Sequence, residues 1–402
     1  LGYGVSGRSE NRVRKNFPRR INPGAISAAL MAGVLMLSGC ASVPDAIIGV
    51  DNPNIPVETV AGANKHDIFI ATTRALDEDP AILYSGERGD KMGLARVTVS
   101  VPPNHVSGQT ERPTSLPPNP RTDFTVLSPH NFGDDRLFVE GVNAALASRP
   151  KGDRNVLVFV HGYNTTLTAA VLRISQFVED SGYTGVPVLF SWASRGKAID
   201  YLYDLNSSLH ARDDLLRTAK LLGQTKAEGF DILAHSMGNF LTVEAMRQLK
   251  IQGRFGSSGR LRTIILASPD IDVDVFKKQI APFPKDERRF YILISKDDKA
   301  LSFSRRIAGG VNRVGDESAD DLAALGVTVI DLTKVEDSGS LNHSKFTESP
   351  EVVQLIGNRL RLGNTLQTAT PGGGLVGGLA ASLTAIPTAL VGGGGRIVVL
   401  GQ

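Results

Sequence analysis

The feature that most restricts the fold is an alternation that begins at Asn155. Short, mainly apolar runs occur at Val156 to Val160, Val186 to Trp192, Phe230 to Ala234, Leu261 to Ala267, Phe290 to Ser295 and Val327 to Leu332. Longer amphipathic stretches separate them, at Leu167 to Asp180, Ala211 to Ala227, Asn239 to Ile251 and Val273 to Ile280, and Pro350 to Leu360 reads as a closing helix. A strand covered on both faces must be apolar throughout, and repeated strand-helix-strand units pair their strands in parallel. The pattern therefore predicts an α/β fold, a mostly parallel central sheet with helices on both faces. Ligands in such sheets bind at the carboxyl ends of the strands, so the turns that leave those ends are where chemistry belongs.

Upstream, His66 to Thr73 and Leu94 to Val101 read as strands that open the sheet. Pro102 to Arg121 holds six prolines, each without a backbone N–H, and is expected to be a long surface loop. Ala41 to Lys65, punctuated by Pro44, Pro53 and Pro56, reads as a tether. Beyond Leu362 glycine, alanine, leucine and threonine dominate, with no charge until Arg396. Each interior glycine weakens a helix by about 1 kcal/mol relative to alanine, so a flexible or membrane-touching tail is expected. The chain thus divides into a leader (1–39), a tether (40–65), amino-terminal strands with the Pro-rich loop (66–149), a core (150–362) and a low-complexity tail (363–402).

The formal charge of +3 is not spread along the chain. Arg8, Arg12, Arg14, Lys15, Arg19 and Arg20 against Glu10 give the leader a net +5, which leaves −2 for everything after it. A mildly acidic body has no electrostatic footprint for nucleic acid. The apolar segment Ala25 to Leu37 has the length of a signal-peptide core and is too short to span a bilayer comfortably. It ends in Leu37-Ser38-Gly39-Cys40, which resembles the bacterial lipobox, and the resemblance implies cleavage before Cys40 and acylation of that residue. Cys40 is the chain's one cysteine, so an acylated Cys40 leaves no thiol for a disulfide. The expectation is a protein anchored by lipid in the cell envelope. With Ala rather than Asp at position 41, the resemblance to Gram-negative lipoproteins implies the outer membrane, facing the periplasm.

The strongest chemical signal follows the run FDILA. Ala234-His235-Ser236-Met237-Gly238 stands between a strand and the helical pattern NFLTVEAMRQL, the setting in which a G-x-S-x-G elbow lifts a serine hydroxyl into the open on a strained turn. Small residues two before and two after the serine keep strand and helix from colliding, and here they are Ala234 and Gly238. Ser236 is the candidate nucleophile. It needs a base, and elbow enzymes order their residues serine, acid, histidine. His66, His105, His130, His161, His210 and His235 all precede Ser236, which leaves His343. Acyl transfer also needs N–H donors for the developing oxyanion; Met237 offers one, and Tyr163, in the turn His161-Gly162-Tyr163-Asn164 after VLVFV, offers the second. The lone Trp192 reads as packing near the site. No H-x-x-x-H or C-x-x-C occurs, and no G-x-G-x-x-G follows the first strand of the α/β body. No metal site and no cofactor are expected.

The runs VLVFVHGYN, FSW with Tyr201 and Asp204 after it, LAHSMGNFL, ASPDID, SKDDKAL and NHS together resemble a bacterial branch of the α/β-hydrolase superfamily, esterase- or lipase-like and of unknown function. The resemblance covers His66 to about Arg361 and includes ATTRA and VSVPPNH. It implies the α/β-hydrolase fold and, because Lys-Ala-Leu follows directly, Asp298 as the acid of the triad, with Asp297 as a solvated neighbour. Asp270 in SPDID is the rival acid, or else a cap for the helix after it.

The function expected from these residues is cofactor-free hydrolysis of carboxylic esters, lipid esters or thioesters through an acyl-enzyme. The partners are then a small-molecule or lipid ester and, through acylated Cys40, a membrane. Two other readings stay open: a non-catalytic envelope lipoprotein that uses the fold for binding or assembly, and a peptidase or amidase on the same triad.

Overall fold

Val156, Val158 and Val160 belong to one buried cluster, with Phe190, Leu241 and Met246. Leu157 and Phe159, between them, belong to another, with Leu172, Phe177 and Ile356. Successive side chains of a strand point to opposite faces, so each apolar run serves two cores, one on either side of the sheet. Full burial of one such side chain contributes roughly 1.5–3 kcal/mol. That is why polar residues are so few in these runs.

This computed structural model describes residues 43–336, 339, 341–362, 388–391 and 395–400, together with Gly2 and Gly4. The leader with Cys40, and most of the tail, lie outside the described residues. Along the chain come β1 (Asn64–Leu76), β2 (Tyr84–Val101), β3 (Thr125–Asn131), α1 (Asp135–Ala147), β4 (Asn155–Val160), α2 (Leu167–Ser181) and β5 (Val186–Ser191). There follow α3 (Tyr201–His210), α4 (Arg212–Gly223), β6 (Gly229–His235), α5 (Met237–Ile251), β7 (Leu261–Ala267), α6 (Val273–Ile280) and β8 (Phe290–Ile294). The last elements are α7 (Lys299–Ile307), α8 (Ala319–Ala324), β9 (Thr328–Asp331), α9 (Lys345–Glu348), α10 (Pro350–Leu362), β10 (Thr388–Val391) and β11 (Gly395–Val399).

The strands form one sheet in the order β10-β11-β9-β8-β7-β6-β4-β5-β1-β2-β3. From β1 across to β9 and β11 neighbours run parallel, and only the β1–β2, β2–β3 and β10–β11 pairs are antiparallel. This is the mostly parallel α/β-hydrolase sheet expected from the alternation. The chain leaves β4 for β5 on one side and comes back to β6 on the other. Strand order reverses there, and the crevice at the carboxyl ends of β4 and β6 is the position where such sheets bind ligands.

Elements that the alternation did not predict lie where the apolar signal is thin. Helix α3 carries Tyr203, Asp204, Asn206 and Ser208, and β3 ends in Ser-Pro-His-Asn. In the tail, where no regular structure was expected, Thr388–Val391 and Gly395–Val399 pair with each other and β11 lies parallel to β9. The β-branched run IVV after Gly395 satisfies a strand. Residues 102–124 form no helix or strand, as six prolines require. His105 holds this loop to α2, with Nδ1 2.7 Å from Glu111 and Nε2 3.0 Å from Asp180. Among the described residues no helix is long and apolar enough to cross a membrane.

Candidate active site

Ser236 occupies the first position after β6, with φ 52° and ψ −125°. A non-glycine residue at positive φ costs energy and persists only where its surroundings fix it. Here the peptide is held from both sides. Ser236 N–H donates to Ala267 O (3.0 Å), and its carbonyl accepts from Asn239 Nδ2 (2.9 Å) and Asp270 N–H (3.2 Å). The hydroxyl caps no N–H of α5.

Two glycines make room for this turn. A Cβ on Gly238 would lie 2.3 Å from His161 O and 2.7 Å from Val160 O, and one on Gly162 would lie 2.8 Å from Ser236 Cβ. The start of α5 and the turn after β4 therefore touch backbone to backbone. That contact brings the N–H groups of Met237 and Tyr163 to the same end of the sheet as Ser236. As the first residue of α5, Met237 has an N–H with no acceptor in its own helix.

The turn after β4 is held by buried polar groups. His161 lies flat on Trp192, ring centroids 5.0 Å apart and 16° from parallel, and Trp192 Nε1 donates to His161 O (2.8 Å). The ring donates from Nδ1 to Gly162 O (2.7 Å), which leaves Nε2 as acceptor, 3.2 Å from Ser191 Oγ and 3.3 Å from Arg74 Nη2. Burial and then the Arg74 charge lower its pKa to about 3, so His161 is neutral. The Arg74 guanidinium, itself buried, donates to Ser191 Oγ (2.8 Å), Ser194 O (2.7 Å), Ser85 O (3.1 Å) and Thr165 O (2.7 Å). Asp204, at zero exposure, accepts from Asn164 N–H (3.0 Å), Arg195 N–H (3.1 Å) and Ser194 Oγ (2.6 Å). Arg74 and Asp204 were not singled out as site residues by sequence reasoning. An arginine inside an apolar strand, in ATTRA, is the signal that could have found Arg74.

His343 reaches this edge on the segment between β9 and α9. Its Nδ1 lies 2.6 Å from Asp298 Oδ2. A carboxylate can only accept, so the proton is on Nδ1 and Nε2 carries the lone pair. Burial disfavours a charged His343, but the charge and hydrogen bond of Asp298 outweigh it and the pKa is raised. Asp298 is buried and N-caps α7, its Oδ1 accepting from Leu301 N–H (2.9 Å). Beneath His343, His235 donates from Nε2 to His343 O (3.2 Å), with ring centroids 4.7 Å apart. Burial, then the neighbouring His343, keep His235 well below the usual pKa.

The other two candidate acids face elsewhere. Asp297 keeps a partly exposed side chain and is also paired: it accepts from Lys345 Nζ (2.8 and 3.0 Å) and Asn342 Nδ2 (2.9 Å), and Lys345 is buried. Asp270 accepts from Ser304 Oγ (2.7 Å) and Tyr201 OH (3.1 Å), and Arg313 Nε stands 3.2 Å from its Oδ1. Nor does Asp270 cap α6; Asp272 does, through the N–H groups of Asp274 and Val275. An apolar cavity of about 400 Å³ lies at the amino ends of β6 and β7, lined in part by Phe230, Met246, Phe255 and Leu261. It is at the opposite end of β6 from Ser236. Among the described residues no group of three or more His, Cys, Asp or Glu side chains is arranged to hold a metal ion.

Residues 139–359, more than half of the chain, match the model of a family described as alpha/beta hydrolase of unknown function (DUF900). No curated protein matches the sequence. Among solved structures, similar chains include a fungal esterase from Rhizomucor miehei, at 13% identity over 86% of this chain and 92% of that one, with a TM-score of 0.32. An esterase from Pyrobaculum calidifontis shares 10% identity over 89% and 97% of the two chains (TM-score 0.33), and a thermostable esterase from Pseudomonas putida 13% over 85% and 90% (TM-score 0.34). None of these likenesses bears on the substrate of this chain.

Proposed function

Because this chain belongs to the alpha/beta hydrolase family of unknown function DUF900, we propose that it is a serine hydrolase of carboxylic esters that works through an acyl-enzyme. The observation that carries the reading is the 2.6 Å contact of Asp298 with His343 Nδ1, at the sheet edge where Ser236 stands at φ 52°.

In this reading Ser236 Oγ adds to the ester carbonyl carbon as His343 Nε2 takes its proton. The N–H groups of Met237 and Tyr163 hold the oxyanion. When the C–O bond breaks, His343 returns the proton to the leaving alcohol. Water then repeats the sequence: its proton goes to His343, its oxygen to the acyl carbon, and Ser236 leaves with the proton as the acid is released. Asp298 holds the imidazole tautomer and stabilises the imidazolium. None of these steps needs a cofactor. The same reading takes Cys40 as the acylated residue that anchors the chain in the envelope.

A fluorophosphonate probe tests the nucleophile, because it labels only an activated serine. Labelling of the wild type and none of a folded Ser236→Ala variant is expected, together with at least about a 10³-fold loss of turnover on a small activated ester. Undiminished turnover in that variant would refute the assignment. Failure of the wild type to label would favour the non-catalytic reading.

A further inference from the structure

Two features of the carboxyl edge have no part in the reaction. The first is the way the tether arrives. Asp45 Oδ1 accepts from Thr166 Oγ1 (2.8 Å) and Arg112 Nη2 (3.1 Å), and Asp45 O accepts from Thr168 Oγ1 (2.7 Å). Ile47 and Ile48 are buried, and Gly49 N–H donates to Val126 O (2.7 Å). Thr166 caps α2 and stands three residues after Tyr163. The chain is therefore fastened beside the turn that carries a candidate oxyanion donor. Only five residues lead from Cys40 to Asp45, and five extended residues span at most roughly 18 Å.

The second feature is a set of large apolar side chains in water: Ile199 (91% exposed), Leu202 (69%), Leu341 (53%) and Phe303 (51%). Each adjoins a residue of the site or of its supporting network. Ile199 follows Ala198, whose carbonyl accepts from Tyr163 OH (2.6 Å). Leu202 follows Tyr201, which meets the Tyr163 ring at 5.1 Å and donates to Asp270. Phe303 precedes Ser304, the other donor to Asp270, and Leu341 is two residues before His343. Single exposed apolar residues are ordinary, but clusters of them mark interaction surfaces. These four come from three separate segments, each of which carries or supports a residue of the site.

We propose that this edge is a membrane-docking face and that the substrate is an acyl ester resident in the bilayer leaflet. The acyl group on Cys40 keeps the carboxyl ends of the strands within reach of the leaflet, and Ile199, Leu202, Phe303 and Leu341 enter its interfacial layer. The inference rests on the ester-hydrolase reading and on the anchor at Cys40. The lipid on Cys40 tethers the chain, and the apolar rim supplies a second contact that aims the site at the leaflet.

The test uses residues 40–402 with Cys40→Ser, so that neither the leader nor an acyl group can bind lipid and any contact made by the tail is common to both chains. It is compared with the same chain carrying Ile199→Ser, Leu202→Ser and Phe303→Ser. Both are sedimented with vesicles of phosphatidylethanolamine and phosphatidylglycerol that contain a long-chain umbelliferyl ester, and both are assayed on a water-soluble short-chain ester. The parent should bind and hydrolyse the vesicle ester, and the rim variant should lose at least about tenfold in both, with turnover of the soluble ester unchanged. A parent that does not sediment, or a rim variant that binds and hydrolyses like the parent, would overturn the proposal. If neither chain hydrolyses the soluble ester, the ester-hydrolase reading fails, while the difference in vesicle binding still decides whether the edge docks on lipid.

Discussion

Asp298 uses its two carboxylate oxygens for two tasks: Oδ2 stands 2.6 Å from His343 Nδ1, and Oδ1 accepts from Leu301 N–H at 2.9 Å as the cap of α7. The cap fixes the carboxylate, and the carboxylate fixes the ring. Asn at this position can still cap the helix but cannot hold the imidazole in the tautomer that leaves Nε2 as base. Asp298→Asn should therefore remain folded and lose up to about 10⁴-fold in turnover of an activated ester. Asp270→Asn and Asp297→Asn, assayed beside it, should lose far less, since neither carboxylate bonds to His343. Near-normal turnover of Asp298→Asn would remove it from the triad.

The pH profile should carry the mark of the same pair. A general base must be neutral, and Asp298 raises the pKa of His343 against the opposing effect of burial. The acid limb of kcat/KM in the free enzyme should then turn over above about 6.5, the ordinary histidine value. Asp298→Asn should move that inflection to lower pH. An inflection in the wild type below the ordinary value would contradict the assignment of His343.

Stability should depend on pH through His105, which is outside the site. Burial works against its charge, but the hydrogen bonds its ring donates to Asp180 and Glu111 win and raise its pKa to about 9. A folded pKa above the unfolded one gives stability that is complete below about 6.5 and is lost as pH rises through the folded value. Urea midpoints should fall between about pH 6 and about pH 10. His105→Gln should flatten that slope and make the 102–124 loop more open to proteolysis; an unchanged slope would assign it to other groups.

Much of this architecture was legible because its physics is local. Strands buried on both faces must be apolar, so β4 to β9 declared themselves within a residue or so at most ends. Ser236 was legible because strand, small residues and helix surround it in sequence. The partners of Asp297 and Asp270 were not. Adjacent carboxylates are equivalent in local pattern; the resemblance of the run Asp298-Lys-Ala-Leu singled out Asp298, and the placing of Lys345, Asn342, Arg313 and His343 by the fold gives each carboxylate its own partner. The roles of Arg74 and of Asp204, which the family-like run after FSW includes, were hidden for the same reason, since they meet the turn after β4 from strands and helices far away in the chain.

Arg74 is a positioning residue for that turn. Its forked guanidinium reaches Thr165 O, Ser194 O and Ser191 Oγ together, which a single ammonium cannot do. Arg74→Lys should leave buried acceptors unpaired and cost about 1–3 kcal/mol in urea unfolding. The oxyanion donor would shift with the turn, and a misplacement of that size lowers turnover by up to about a hundredfold. The loss should fall on kcat more than on KM. A loss of stability with unchanged kcat would give Arg74 a purely structural role.

Gly162 offers the most selective probe of the backbone contact under Ser236. A methyl group there would lie 2.8 Å from Ser236 Cβ and 3.0 Å from His235 Nδ1, inside van der Waals distance of both. Either the turn after β4 retreats or the elbow does. Ser236 is tied to β7 and α5 through Ala267 O and Asn239 Nδ2, so the turn should give way. Overpacking of this kind costs about 1–3 kcal/mol. The retreat would also take Tyr163 N–H away from the oxyanion position, a donor whose removal is worth about 10²–10³ in kcat. Gly162→Ala should thus remain folded, still react with a fluorophosphonate at Ser236, though more slowly, and lose most of its ester turnover. Wild-type turnover in that variant would mean that the turn after β4 contributes no donor to the reaction.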